Sequence, residues 1–396
     1  MNKWEMVKLS DVCTVNPPKK QLKALYDNKV VSFIPMSDVT EDGRIYTNNV
    51  KSFSEISSGF SYFIEDDVLF AKITPCMENG KGAIARGLMN GLGVGSTEFH
   101  VLRPNKESVT SDWIFRVVSF AKLRKHAEKN MTGSAGQKRV PKAFLENVLI
   151  PLPPLETQKQ ITKTLDTVAE LLSMHKQQLA ELDNLIISIF YDMFGDPVIN
   201  EKGWEVKKLT DLSSLITKGS SPTWQGINYT EDTNQVLFVT SENVREGYLD
   251  FSKRKYLENK FNELQSRSVV EYGDLLINIV GASIGRAAIF YSHEVANINQ
   301  AVALVRCNKD VCLTYLRHYF NSPKALQMYG EMKVDVARAN LSLKNIGDLA
   351  VIYPPIPLQT QFASIVTKIE AQKTLVQKAI DETQYLFDSL MSHYFE

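Results

Sequence analysis

The stretch from Pro151 to Phe194 constrains this chain more than any other. It opens P-L-P-P-L-E-T-Q and runs into F-G-D-P. Apolar residues fall at Ile161, Leu165, Val168, Leu172, Leu179, Leu182, Ile186, Ile189 and Met193, and His175 completes the series. The steps alternate three and four, the heptad spacing of a coiled-coil seam. Prolines cannot continue a helix backwards, so they form a stiff lead-in, and Gly195 followed by Pro197 is a stop signal. At about 1.5 Å per residue such a helix is roughly 50 Å long. His175 on the seam reads as a polar core residue that fixes pairing.

The stretch occurs twice. Residues 354–361 read P-P-I-P-L-Q-T-Q, and a shift of 203 aligns them with 151–158 at five of eight positions. A second helical pattern follows, with Phe362, Ile365, Ile369, Val376, Ala379, Leu386 and Leu390 on one seam and Gln372 and Thr383 inside, so it is the more polar of the two. A period near 200 is too long for a solenoid. The chain therefore reads as a tandem: globular domain, helix, globular domain, helix, over 1–150, 151–196, 197–350 and 351–396. An amphipathic core helix of one large domain would fit the periodicity alone but not the repeat.

Each globular half opens on a W-E-x-x-x-L core, Trp4 to Leu9 and Trp204 to Leu209, then Ser or Thr before Asp11 or Asp211. This predicts a short strand and a capped turn. Strands are predicted at 30–34 and 236–239, at 67–70 and 274–277, and at 99–103 and 302–306. Glycine-rich connections lie at 78–87 and 280–289. Helical patterns at 111–129 and 312–329 precede the loops M-T-G-S-A-G-Q-K-R (131–139) and K-V-D-V-A-R-A-N (333–340). The fold class is α+β, with two strand-rich domains joined by two long helices. If the second helix returns along the first, they form an antiparallel coiled coil and the domains are related by a pseudo-two-fold axis.

Net charge is zero, but its distribution is uneven. Residues 1–150 carry 21 Lys and Arg against 16 Asp and Glu, whereas residues 151–200 carry 3 against 7. Within the first half, eight basic residues between 114 and 142 (Arg116, Lys122, Arg124, Lys125, Lys129, Lys138, Arg139, Lys142) face one acid, Glu128. That excess is the main electrostatic cue for a phosphate-binding face. No stretch is apolar enough to predict a membrane span, and the N-terminus lacks a signal-peptide pattern. Cys13, Cys76, Cys307 and Cys312 form no C-x-x-C pair and predict reduced thiols in a cytoplasmic protein with no metal site.

Catalytic readings fail on residue type. Asn16-Pro17-Pro18-Lys19 is similar to the N-P-P-aromatic motif of amino-methyltransferases, but lysine replaces the aromatic that stacks on a flipped base. Gly281-Ala282-Ser283-Ile284-Gly285-Arg286 is not a P-loop. Glu78, Lys81 and Asp67 have the wrong spacing for a nuclease set. What remains is binding, by basic residues among Gly, Ser, Asn and Gln in loops. The candidates for DNA contact in the first half are Lys72, Lys81, Lys122, Arg124, Lys125, Ser134, Gln137, Lys138 and Arg139. In the second they are Lys218, Ser220, Lys253, Arg254, Lys255, Arg286, Arg338 and Asn340.

The duplicated proline lead-ins, the W-E-x-x-x-L openings, M-F-G-D-P after the first helix, and the G-S-A-G-Q and A-R-A-N-L-S segments together resemble the conserved regions of specificity (S) subunits of type I restriction–modification systems. The resemblance covers nearly the whole chain, and the duplicated layout is its most specific feature. The second lead-in departs from it (P-P-I-P for P-L-P-P), and Thr157 and Thr360 stand where glutamate is usual. The resemblance implies two target-recognition domains, each reading one half of a split double-stranded DNA sequence. It also implies a non-catalytic chain that docks adenine-methyltransferase (M) subunits and restriction (R) subunits, with S-adenosylmethionine, ATP and Mg used by those partners. A spacer of about 50 Å would equal roughly 15 base pairs. The alternatives are an autonomous DNA-modifying enzyme, the recognition subunit of a type IIB-like modification system, and a coiled-coil adaptor with two protein-binding heads.

Overall fold

The structure is a computed structural model; it describes residues 4–18, 29–56, 59–134, 136–331 and 340–396. Two compact units emerge. The first contains residues up to His175 together with Ala379–Glu396, and the second contains Lys176–Lys378. Each long helix thus contributes one half to each unit.

In the first unit a four-stranded antiparallel sheet runs in the order Cys13–Val15, Phe99–Pro104, Val68–Ala71, Gly82–Ile84. A second sheet has the order Val50–Ser52, Val30–Ile34, Leu92–Gly95, Ser61–Ile64, and its central pair is parallel, with Phe33 opposite Val94. The second unit repeats the first sheet and carries a five-stranded version of the second. Its first sheet is Ser213–Lys218, Val302–Cys307, Leu275–Asn278, Ala287–Ile289. Its second is built around the parallel pair Val236–Val239 and Ala296–Ile298. The predicted strands are present because their short β-branched and aromatic runs are buried on both faces between the packed layers.

The W-E-x-x-x-L openings form the predicted strand and capped turn. Asp11 accepts from the Lys8 N–H (3.1 Å) and Asp211 from the Lys208 N–H (3.3 Å). Those opening strands pair with the last strand before each long helix, Val7 opposite Ile150 and Val206 opposite Ile352, so each unit is closed by its own ends. The two helical patterns are each broken in the middle. Phe120 is extended between Ser111–Ser119 and Ala121–Lys129. Pro323, which has no N–H to give, starts Pro323–Glu331 after Leu313–Phe320.

One ion pair with a buried carboxylate recurs between adjacent strands of each first sheet. Arg103 makes a two-pronged contact with Asp67 (2.8 and 2.7 Å), and Arg306 with Asp274 (2.9 and 2.8 Å). Both carboxylates are almost fully buried. Planar guanidinium-to-carboxylate geometry satisfies both partners at once.

The long helices run Leu155–Phe194 and Ile356–Phe395, so they correspond at a shift of 201, not the 203 that the T-Q identity suggests. The hydrogen bonds agree. The buried Gln158 carboxamide accepts from the Thr110 N–H (2.9 Å) and donates to the Ser108 and Pro153 carbonyls (3.0 and 2.8 Å). Its counterpart is Gln359, which accepts from the Cys312 N–H (3.0 Å) and donates to the Pro354 carbonyl (2.7 Å). Gln361, its partner by sequence identity, is exposed. A buried amide must be paired, so the glutamine that can reach the proline carbonyl sets the register.

This shift also corrects the second seam. In the first helix Ile161, Leu165, Val168 and Ile186 are buried, and Leu172, His175, Leu179 and Leu182 are half-buried, as the heptads predict. In the second, Phe362, Ile369 and Val376 are buried and Leu390 is half-buried, but Leu386 is 47% exposed. The interior positions are Val366, Lys373, Ile380, Thr383 and Phe387, one residue on from Ile365, from Ala379 and from Leu386. Thr383 is interior as expected, but the other polar interior residue is Lys373, and the expected Gln372 is exposed. Lys373 is tolerated because its ammonium reaches Asp183 (2.6 Å) and Glu370 (3.3 Å) while its stem covers apolar surface. The pairing is antiparallel within each unit. In the first, Ile161 and Leu165 share a core with Met391 and Phe395; in the second, Ile186, Phe190 and Phe194 share one with Phe362, Val366 and Ile369.

Candidate nucleic-acid interface

Strand register gathers loops from distant parts of the sequence at one end of each first sheet. In the first unit that end is where Val15 and Ala71 finish and Phe99 and Gly82 begin. In the second it is where Lys218 and Asn278 finish and Val302 and Ala287 begin.

The loop 131–140 docks at this end of the first unit. Thr132 and Arg139 exchange backbone hydrogen bonds (2.9 and 2.8 Å), closing a hairpin. Gly133 sits at φ +123, and a Cβ there would lie 2.8 Å from the Gln137 carbonyl oxygen, so the turn requires glycine. The Thr74 N–H donates to the Lys138 carbonyl (3.0 Å) and the Val140 N–H to the Lys72 carbonyl (2.8 Å), which pins the loop to the strand end. His100 bolts it from below. Its Nε2–H donates to the Val140 carbonyl (2.8 Å), and its Nδ1 accepts from Asn16 Nδ2 (2.9 Å). This bonding requires a neutral ring, and burial holds the His100 pKa below its ordinary value. Asn16 of the N-P-P-K motif, in the left-handed region at φ 55, is therefore a structural clasp. A cavity of about 220 Å³ beside it is lined by Asn16, Pro17, Ser61, Tyr62, Lys72 and Thr97 among others.

Of the predicted contact residues in this loop, Ser134, Gln137 and Lys138 are exposed at the tip. Arg139 is an anchor. Its guanidinium grips Glu98 (2.9 and 2.8 Å) and holds that carboxyl below the usual carboxylate range. Lys81 donates to the Met36 carbonyl (3.2 Å).

The basic run 114–142 is less available than its charge count suggests. Arg124 is 7% exposed, donates to the Met77 carbonyl (2.8 Å) and lies 5.1 Å from the Phe70 ring centre. Burial pushes its pKa down to about 10. It cannot reach a phosphate and is withdrawn as a contact; its helix turns it inward beside Ala127. Arg116 pairs with Asp166, Lys122 with Glu396 and Lys142 with Glu146. Lys125, Lys129 and Lys138 remain exposed without an ion pair among the described residues.

In the second unit, Asn340 bridges to Val280, and the Leu341 N–H donates to the Ile279 carbonyl (2.9 Å), as Val140 does to Lys72. Lys218, Ser220, Arg286 and Asn340 therefore share one sheet end. Arg286 meets Glu246 (3.2 Å), and Gln225 donates to Ser220 (3.3 Å). Lys253, Arg254 and Lys255 lie on a neighbouring loop, where Arg254 grips Glu294 (3.0 and 2.9 Å) and Lys255 meets Glu242 (3.2 Å). Arg338 lies outside the described residues. Two residues escaped the sequence reading. Asn278 is fully buried and donates to the Ser241 carbonyl, the Val244 carbonyl and Ser283 (3.0, 3.2 and 3.1 Å), tying three segments together. Trp224, an isolated aromatic without periodicity, is 78% exposed.

Exposed amides and cations on rigid loops can read base edges and hold phosphates. Among the described residues no group of three or more His, Cys, Asp or Glu could hold a metal, and no helix is long and apolar enough to cross a membrane.

Comparison with known proteins agrees with this layout. The sequence model described as the type I restriction modification DNA specificity domain matches residues 1–184 and again 201–384. The chain is 38% identical over 183 residues to the specificity subunits of the type I restriction enzymes EcoEI and EcoAI of Escherichia coli. That stretch spans 46% of this chain but only 30% of each of those relatives. Among solved structures, a chain from work on complex assembly and conformational transition of the type I R-M system superposes with a TM-score of 0.63 at 20% identity, covering 99% of this chain and 97% of that one. A type I restriction-modification system S subunit from M. genitalium gives 0.55 at 14% identity, covering 100% and 96%. At these identities the structural likeness speaks for the fold.

Proposed function

We propose that this chain, which belongs to the type I restriction-modification DNA specificity family, is the sequence-reading subunit of such a system. Each unit reads one half of a two-part double-stranded DNA target. The observation that carries this reading is the duplication itself: two units with the same four-stranded first sheet each gather polar loops at its equivalent end. In the first unit Ser134, Gln137 and Lys138 face DNA, and in the second Lys218, Ser220, Arg286 and Asn340 do. Amide and guanidinium groups of this kind suit adenine and guanine edges in the major groove. The paired helices serve as the ruler for the unread bases between the halves.

The chemistry belongs to partners. Methyltransferase subunits modify adenine with S-adenosylmethionine, and restriction subunits use ATP and Mg. The near-neutral chain, with acidic long helices, draws much of its DNA attraction from those partners. The test is to co-express the chain with an adenine-methyltransferase subunit and map modified adenines across a genome. A two-part motif with a fixed gap, present only when this chain is present, is expected. Modification that ignores the chain, or an uninterrupted motif, refutes the reading.

A further inference from the structure

The loop that follows strand Ser213–Lys218 presents one large aromatic ring to solvent on a rigid mount. Gly219 sits so close to the neighbouring backbone that a Cβ there would lie 1.7 Å from the Ile298 carbonyl oxygen, which fixes where the loop leaves the sheet. Pro222 opens a single helical turn, Thr223–Gln225, which Gly226 closes in the left-handed conformation at φ 66. The Ile227 N–H donates to the Pro222 carbonyl (3.0 Å), and the Ile227 side chain is buried with Val236, Phe238, Leu257 and Phe261. Clamped at both ends, the turn carries Trp224 at 78% exposure. The other three tryptophans are half-buried (Trp4, Trp204) or fully buried (Trp113).

An indole held rigidly in water forfeits the burial that a flexible loop could give it by folding back. Its surroundings say what covers it. The segment 217–229 (T-K-G-S-S-P-T-W-Q-G-I-N-Y) has one charge, Lys218, and no acid. Strand register puts this loop at the same sheet end as Arg286 and Asn340. A cation, small hydroxyls, an amide and a flat ring form the set that grips a phosphate and stacks on a base, since every base offers a π face. A protein-docking patch would instead need contiguous apolar surface, and the residues on either side of Trp224 are Thr223 and Gln225.

We propose that Trp224 lays its indole against a base of the half-site read by the second unit, as a stacking contact or as a wedge at a base step. The inference rests on the proposed DNA-reading function and adds a contact residue of a different chemistry. Because the contact is with a π face, it positions the base and favours deformable steps rather than reading a hydrogen-bond pattern.

The experiment uses the chain in complex with its methyltransferase subunits and duplexes of the mapped target carrying 2-aminopurine at successive positions. With the unaltered chain, one position in one half-site changes fluorescence on binding. Trp224→Ala should abolish that change and weaken binding about ten-fold or more, while Trp224→Phe, which keeps a π face, should retain most of both. The other half-site should be unaffected, and thermal melting of both variants should match the parent. Unchanged affinity and an unchanged 2-aminopurine profile in Trp224→Ala overturn the inference and leave DNA reading intact. Loss of methyltransferase co-purification with unchanged DNA response also overturns it, by assigning the ring to a protein partner. Failure of the unaltered complex to bind any target refutes the underlying function, and the inference with it.

Discussion

Gln359 and Gln361 differ by two positions, and the structure assigns them opposite importance. Gln359 is buried, and its carboxamide pairs the Cys312 N–H at 3.0 Å and the Pro354 carbonyl at 2.7 Å. Gln359→Ala leaves both backbone groups without their partner next to the start of helix Leu313–Phe320. At about 1–2 kcal/mol for each unpaired buried group, the loss is about 3 kcal/mol. For a unit of this size, each kcal/mol moves the melting midpoint by roughly 2–4 °C, so the second unit should melt roughly 6–12 °C lower. Gln361 is exposed, and Gln361→Ala should stay within about 0.5 kcal/mol of the parent. Differential scanning calorimetry on both variants decides the matter. Equal effects, or a larger loss in Gln361→Ala, would refute the shift of 201 and restore the register suggested by sequence identity.

His318 is half-buried, packs edge-on against Phe362, accepts from Arg317 at 3.0 Å, and is pushed down to about 3 by desolvation, then by Arg317 and Lys373. A depressed histidine pKa means the unfolded chain binds the extra proton, so its contribution is intact above about 6.5 and is lost as pH falls from there toward about 3. His318→Gln should remove about 2 kcal/mol of the stability difference between pH 7 and pH 5, and an unchanged pH slope in denaturant unfolding would contradict this. Arg306→Leu strands the buried Asp274 carboxylate and should cost about 3 kcal/mol or more; a melt shift below about 2 °C would mean the pair is not isolated from water. Removing one heptad from each long helix shortens the ruler by roughly 10 Å, and methylation mapping should find the gap shortened by about 3 base pairs with both halves unchanged. An unaltered gap would remove the helices from that role.

What was legible in the sequence was whatever repeats or alternates. The heptads of the first helix, the duplicated openings, and the strand pairs ending in Arg103 and Arg306 all carry strong periodic or positional signals. The second seam was misread where Lys373, not the exposed Gln372, takes the interior position and where Leu386 offers an apolar decoy beside Phe387; Thr383 is buried as expected. A polar residue satisfied by tertiary partners, as Lys373 is by Asp183, leaves no trace in a hydropathy pattern. The basic run 114–142 misled for a related reason. Charge counts cannot distinguish a solvated lysine such as Lys125 from Arg124, which its helix turns into the core. Trp224 was missed because a single aromatic in a loop has no period, and only the clamped backbone around it reveals that the ring is held outward.

The central claim is that each unit reads its own half of the target, and base-preference profiling of the methyltransferase complex tests it directly. Two double variants are compared with the parent on a library randomised across both halves: Gln137→Ala with Lys138→Ala, and Arg286→Ala with Asn340→Ala. A lost base-edge contact relaxes discrimination by about 1–3 kcal/mol at its own position. The account predicts that the first variant relaxes one half of the motif, the second relaxes the other, and neither alters the gap. Relaxation of the same half by both variants, or of both halves by either, would contradict it.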